Sequence, residues 1–266
     1  MNINLIELTQ VIALPLIGVA LYLINRKIKR IDKATWNIKQ FVEQKFGAAE
    51  INLGAAEINL YRQLESLGNL NALIKLPKPL TPLRGWAGSP DFLLKLARIV
   101  TSKKPQTIVE CSSGSSTIVV ARCCQLNNSG HVFSLEHELE FAEQTRIQLI
   151  ESGLQEWATV IHAPLQPTTI LNKTYPWYAL NDLPELAIDL LVIDGPPGGL
   201  VDQARYPAGP LLIPRLASGG IIILDDAGRD DEILILDRWK SEFSDLKIEY
   251  STAEKGLAIL EKNHTT

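Results

Sequence analysis

The chain has 266 residues, 46% of them apolar and 21% charged, which fits one large globular domain or one domain with an appendage. Its formal net charge is −4 and its C-terminal part holds no basic tract, which argues against nucleic acid as a partner. Cys111, Cys123 and Cys124 form an odd, unspaced set that suits a reducing compartment better than a disulfide framework, and no zinc-type spacing is present.

Residues Leu8 to Ile24 run without a charge, and the flank that follows is basic, with Arg26, Lys27, Lys29, Arg30 and Lys33. At 1.5 Å per residue the run covers roughly 25 Å of helix, just short of a bilayer core, and Ile3, Leu5 and Ile6 extend it. A signal peptide would carry its positive charge on the other side. The pattern predicts a single membrane span over residues 1–26, with everything after it cytoplasmic by the positive-inside rule. A buried or interfacial hydrophobic helix is the alternative.

Residues 27–76 read as a long helical neck. GAAEINL at 47–53 repeats unchanged at 54–60, and a seven-residue duplication keeps a helical face nearly in register. Phe46, Leu53, Leu60, Leu67 and Ile74 recur at sevens, a coiled-coil-like seam softened by Gly47, Gly54 and Gly68. A self-association or spacer helix and a helix packed on its own domain both fit, so a homo-oligomer through this neck stays open. The proline-rich stretch from Leu76 to Pro90 marks a boundary or a crossing loop, and the domain expected to carry chemistry is 77–266.

Beyond it the units alternate. A helix is predicted from Ser89-Pro90-Asp91, then a buried strand at Thr107 to Val109, a small-residue turn, and a helix with Ser115 and Ser116 as candidate N-caps. Strands follow at His131–Glu136, Ala158–Ala163, Ile188–Ile193 and Gly220–Leu224. Helices are expected at Leu139–Ser152, Ala204–Ala217 and Asp231–Phe243. Two short strands, Lys247–Ser251 and Gly256–Leu260, close the chain as an antiparallel edge pair. Such alternation means a doubly wound, mostly parallel sheet covered on both faces.

In such sheets ligands bind beyond the carboxyl ends of the strands. Acidic residues follow apolar runs at four of these ends: Glu110, Glu136, Asp194 and the pair Asp225-Asp226. Glu136 lies at the end of the strand after the glycine turn, where a carboxylate accepts bonds from both ribose hydroxyls. A nicotinamide dinucleotide site fits that residue too, but the turn holds only Gly114 and lacks the G-x-G-x-x-G fingerprint.

Five segments in order resemble class I S-adenosylmethionine-dependent methyltransferases, specifically the bacterial group with an E-x-G-S-G-x-S-T loop and a strand-end D-G-P-P. They are Glu110-Cys111-Ser112-Ser113-Gly114-Ser115-Ser116-Thr117, Ser134-Leu135-Glu136-His137, His162-Ala163-Pro164-Leu165, Asp194-Gly195-Pro196-Pro197-Gly198 and Leu224-Asp225-Asp226-Ala227. The resemblance implies a seven-stranded sheet with a reversed last strand, and S-adenosylmethionine as cofactor. By position, Glu110 holds the methionine ammonium and Gly114, with the serines Ser112, Ser115 and Ser116 around it, meets the cofactor. Glu136 binds the ribose, Ala163 to Leu165 flank the adenine, and Asp194 faces the transferring methyl or the acceptor. The family loop usually has glycine where this chain has Ser112. A weaker likeness, to cation-dependent O-methyltransferases, matches Asp194, Asp225 and Asp226 to a Mg²⁺ site. There Asp194 and Asp225 assist catalysis and the metal lowers a hydroxyl pKa. Together these imply a membrane-tethered O-methyltransferase acting on a small-molecule, sugar or lipid hydroxyl. A catalytically silent scaffold of the same fold and a nicotinamide-dependent oxidoreductase are the alternatives.

Overall fold

The computed structural model describes residues 5–83 and 85–263, and for residues 5–14 and 48–50 it describes the backbone alone. It divides into two compact units, Met1–Asn59 and Leu60–Thr266. Helix α1, Leu5–Ile74, runs through the first unit and ends in the second.

In the first unit, Leu16, Ile17, Val19, Leu21, Leu23, Ile24, Phe46 and Leu53 are exposed. Among the described residues no helix is long and apolar enough to cross a membrane. The span expected over Leu8–Ile24 has its first part in 5–14, whose side chains lie outside the described residues. The seam of sevens divides along the helix: Phe46, Leu53 and Leu60 face solvent, Leu67 is half-buried, and Ile74 is fully buried in the core of the second unit, as is Leu70 one turn before it. Arg122 closes the helix end. Its Nε donates to the Ile74 carbonyl at 2.9 Å and its Nη2 to the Lys75 carbonyl at 3.2 Å, which satisfies acceptors that a helix terminus leaves unpaired.

The second unit is a three-layer α/β domain. Helix α2 (Pro90–Lys103) leads to β1 (Thr107–Cys111), α3 (Ser115–Asn127), β2 (His131–Glu136), α4 (Leu139–Glu151) and β3 (Ala158–His162). A hairpin, β4 (Leu165–Ile170) and β5 (Lys173–Tyr178), precedes β6 (Ile188–Ile193). Then come the short helix α5 (Ala208–Leu212), β7 (Leu216–Asp225), α6 (Asp230–Glu242), β8 (Leu246–Ser251) and β9 (Leu257–Lys262). Among the described residues the main sheet has seven strands in the order β3-β2-β1-β6-β7-β9-β8. Strands β1, β2, β3, β6 and β7 are parallel, and β9 runs antiparallel to both neighbours. This is the seven-stranded Rossmann-like sheet with a reversed last strand that the family resemblance implies, and its closing pair is the antiparallel edge pair of the strand pattern.

The parallel strands are buried on both faces because α2, α3 and α4 cover one side, with Phe92, Leu96, Val119 and Val120 in the core there. Trp177, Tyr178, Tyr206 and Trp239 fill the other, where the hairpin and α6 pack. The chain order reverses between β1 and β6: from β1 it winds outward to β2 and β3, and from β6 outward to β7. A crevice opens at the carboxyl ends of such a pair.

Two expectations need correction. The helix predicted over Ala204–Ala217 is only Ala208–Leu212 with a 3-10 turn at Ile213–Arg215, because Pro207, Pro210 and Pro214 break it, and the strand after it begins at Leu216. The hairpin at 165–178 is not among the predicted strands. Pro167 and Pro176 depress the strand reading, yet they sit opposite each other in the ladder. A pair with no N–H on either side belongs at a non-hydrogen-bonded position, so neither proline removes a bond.

Candidate active site

The organising turn sits between β1 and α3. The helix N-cap is Gly114, not Ser115 or Ser116, which are the first two helical residues. Gly114 has φ 140°, a backbone conformation that side chains rarely adopt, and the space where its Cβ would stand is open. Its N–H donates to Thr117 Oγ1 at 3.0 Å. Ser112 has φ 128° although it carries a Cβ, so its backbone is strained at the position where the resembling family has glycine.

Glu110 lies inside the sheet with no exposed surface. Its Oε2 accepts from Thr117 Oγ1 at 2.6 Å and Ser134 Oγ at 2.5 Å. Its Oε1 is buried without a partner among the described residues. Burial pushes the Glu110 carboxyl up, and the neighbouring hydroxyls of Ser116, Ser134 and Thr117 pull it back only in part. One oxygen is therefore anchored and the other is left to accept a donor.

Glu136 has the opposite balance. Its Oε2 accepts from the Ser113 N–H at 3.1 Å and the Ser113 hydroxyl at 3.0 Å, and its Oε1 accepts from the Glu138 N–H at 3.1 Å. His137 Nδ1 stands 3.0 Å from Oε1. Burial raises this carboxyl, but His137, the Glu138 N–H and Ser113 outweigh it and hold it below the usual carboxylate range. His137 is raised in turn, chiefly by Glu136. Ser113, absent from the residues singled out by sequence, is the serine of the turn that touches this carboxylate. Ser115 instead meets Thr81 Oγ1 at 3.1 Å. Ala163 is buried and its N–H donates to the Glu136 carbonyl at 2.7 Å, while Leu165 begins the hairpin half-buried.

The third group lies beyond β6 and β7. Asp194, Asp225 and Asp226 each bring a carboxylate oxygen within 4.8 Å of the others. Asp225 is fully buried and neither of its carboxylate oxygens has a partner among the described residues. Arg205 is buried among them. Its Nη2 donates to Asp226 Oδ2 at 2.8 Å and to the Asp194 carbonyl at 2.6 Å, and its Nη1 donates to the Asp225 carbonyl at 2.9 Å. Arg205 Nη1 also lies 3.7 Å from Glu232 Oε1, and Arg229 Nη2 lies 3.0 Å from Asp226 Oδ1. Burial opposes the Arg205 charge, but Asp194, Asp226 and Glu232 outweigh it. Asp194 is pushed well above the usual carboxylate range by burial and then by Asp225. Arg205 follows the D-G-P-P turn in the sequence by eight residues. Its place in the cluster depends on a chain reversal after the D-G-P-P turn that no local pattern announces.

This geometry, an open α/β sheet of seven strands with a reversed last strand and acids at the strand ends, is that of the Rossmann-like methyltransferase fold. Residues 109–227 match a family model described as a methyltransferase domain. Solved structures share the fold. An SAH-bound methyltransferase from Podospora anserina, PaMTH1, superposes with a TM-score of 0.56 at 15% identity, over 80% of this chain and 96% of that one. An SAH-bound O-methyltransferase from Bacillus cereus gives 0.52 at 16%, over 78% and 97%. TomG, a SAM-bound O-methyltransferase from Streptomyces achromogenes, gives 0.50 at 15%, over 78% and 96%. No curated protein matches the chain in sequence.

The Asp225 carboxyl is pushed up to about 6 by burial and by Asp226, from an ordinary value of 3.8. Between those values the folded state holds a proton that the unfolded state has lost. Stability from this group therefore falls as pH rises through that window and stays low above it. Asp225→Asn should melt a few degrees above the parent at about pH 8, and the gap should shrink toward about pH 4. Differential scanning fluorimetry across pH checks this, and a gap that does not narrow on acidification refutes it.

Proposed function

We propose that this protein transfers the methyl group of S-adenosylmethionine to a hydroxyl oxygen of a small-molecule, sugar or lipid acceptor. The observation that carries the reading is the row of carboxylates at the switch point, each in a different hydrogen-bonding state. Their free valences fit the cofactor. The unpartnered Glu110 Oε1 suits an ammonium group, the ionised Glu136 suits a ribose diol, and the open face of Gly114 lets the backbone approach closely. The cofactor supplies an electrophilic methyl on a sulfonium. The protein's part is to hold that methyl in line with the acceptor oxygen in a crevice closed to water, which makes catalysis mostly a matter of positioning. Asp194, raised by burial, is placed to take or share the acceptor's proton.

The acid cluster also fits a divalent cation. Hard oxygen donors suit Mg²⁺, and Asp194 and Asp225 would hold it, with Asp226 shared with Arg205. When bound, the metal lowers the pKa of an acceptor hydroxyl. We further propose that the N-terminal helix tethers the domain to a membrane with the catalytic part on the cytoplasmic side. The exposed apolar side chains of Leu16 to Ile24, followed by Arg26, Lys27, Lys29 and Arg30, support this.

Three outcomes test these readings. Titration calorimetry of the full chain should show S-adenosylhomocysteine binding, and Glu136→Gln should weaken it by about 2–3 kcal/mol, the scale of charge-assisted hydrogen bonds. Unchanged affinity in that variant removes the ribose assignment. Mg²⁺ should raise the melting temperature of the parent and not of Asp225→Asn; an equal response in both rules the cluster out as the ion's site. The full chain should stay in the membrane fraction through a carbonate wash, and its release would reduce the tether to a surface contact. Turnover of S-adenosylmethionine with hydroxyl-bearing acceptors separates an enzyme from a silent scaffold of the same fold.

A further inference from the structure

The β4–β5 hairpin delivers one polar atom that the site described above does not use. Tyr178, the last residue of β5, is buried to 1% exposure, and its hydroxyl has no partner among the described residues. A buried hydroxyl without a partner is unfavourable, and phenylalanine would pack the same space without that penalty. The hydroxyl thus calls for a partner that arrives with a ligand.

Its position is fixed by its neighbours. A Cβ added at Gly195 would collide with the Tyr178 hydroxyl, and would also stand 3.1 Å from the Cys111 carbonyl and 3.3 Å from Ser112 Cβ. The hydroxyl therefore overhangs Gly195 where the carboxyl ends of β1 and β6 meet, at the switch point itself. The ring is held edge-on by Trp177 at 5.2 Å and by His137 at 6.2 Å between centroids. Ladder pairing with Leu165, and the bond from the Ala179 N–H to the Pro164 carbonyl at 3.1 Å, fix the backbone beneath it. Both Glu136 and Asp194 act on the phenol electrostatically and, with burial, keep it protonated. His137, next to Glu136 in the chain, meets the ring, and Gly195, next to Asp194, lies under the hydroxyl, so Tyr178 bridges the segments that carry the carboxylate assigned to the ribose and the carboxylate assigned to the acceptor.

The chemistry of the cofactor says what belongs in that gap. Its sulfur is bonded on one side to the ribose carbon and carries the methyl that leaves for the acceptor. A group between the ribose carboxylate and the acceptor carboxylate therefore flanks the sulfonium and its methyl. We propose that the Tyr178 hydroxyl oxygen contacts the sulfonium end of the bound cofactor and favours the charged, methylated form over the neutral thioether product. The lone pairs of a phenol oxygen complement a positive sulfur and its polarised methyl hydrogens. The bland alternative is a hydroxyl that merely rides on a packed ring.

This inference rests on the cofactor reading given under the proposed function, and one calorimetric comparison separates the two. The full chain and its Tyr178→Phe variant are each titrated with S-adenosylmethionine and with S-adenosylhomocysteine. The variant keeps the ring and removes only the oxygen, so its melting temperature should equal or exceed that of the parent. The expected result is that Tyr178→Phe weakens S-adenosylmethionine binding about fivefold, the scale of one neutral hydrogen bond, and leaves S-adenosylhomocysteine within about twofold. An equal loss for both ligands overturns the sulfonium assignment, because it puts the hydroxyl on a part of the cofactor that both share. No change for either overturns the inference while the cofactor reading stands. Failure of the parent chain to bind either ligand overturns both.

Discussion

The interaction on which the site depends is the burial of Arg205. Its guanidinium reaches the carbonyls of Asp194 and Asp225, at the ends of β6 and β7, and the side chain of Asp226. Through Glu232 it also meets the first turn of α6. A planar fork of donors can serve several acceptors at fixed angles, which a lysine cannot. Removing such a group from water is expensive, and only close, multiple acceptors offset it. The strand ends are held together because the arginine needs them, and the arginine stays charged because they surround it.

That balance also explains why the cluster does not collapse into a closed salt bridge. Asp226 is engaged on both oxygens, by Arg205 on one side and Arg229 on the other. Asp225, its neighbour in sequence, offers only its backbone carbonyl to Arg205 and keeps both carboxylate oxygens free. Asp226, with φ 60°, is the first residue past the end of β7, whereas Asp225 is the last residue of that strand. One aspartate is structural and the next remains available for chemistry. A pair of identical residues at a strand end carries no sequence mark of which will be which.

Much of the fold was legible because the buried parallel strands are short apolar runs bounded by turn residues, as at Ile188–Ile193. The acids at their ends were legible for the same reason: a carboxylate directly after an apolar run must sit at the rim of the sheet. The hairpin at 165–178 was not, since its prolines imitate a loop and their pairing partners are known only from the ladder. Ser113 was hidden among four serines of one turn, where only the backbone path decides which hydroxyl meets Glu136. The seam of sevens in α1 was visible, but not its division. Leu60 and Ile74 share the register of sevens, yet Leu60 is exposed and Ile74 is buried in the core of the second unit.

The carboxylates along the rim show how one residue type acquires separate tasks. Glu136 receives two N–H groups and a hydroxyl, and is held ionised. Glu110 receives two hydroxyls on one oxygen and none on the other, and burial wins. Asp225 receives no side-chain donor on its carboxylate and shares its neighbourhood with two more acids, so its proton leaves late. The order runs from donor-rich to donor-poor across the sheet from β2 through β1 to β7. A ligand with a neutral diol at one end and a reacting centre at the other meets that order in the sense it requires. The diol finds an ionised acceptor, and the reacting centre finds groups able to exchange a proton. The Ser113 N–H that meets Glu136 comes from the turn between β1 and α3, whereas at the end of β7 Arg205 gives its donors to the carbonyls of Asp194 and Asp225 and to the side chain of Asp226. The proton affinity of each acid therefore follows from which donors the winding of the chain brings to it.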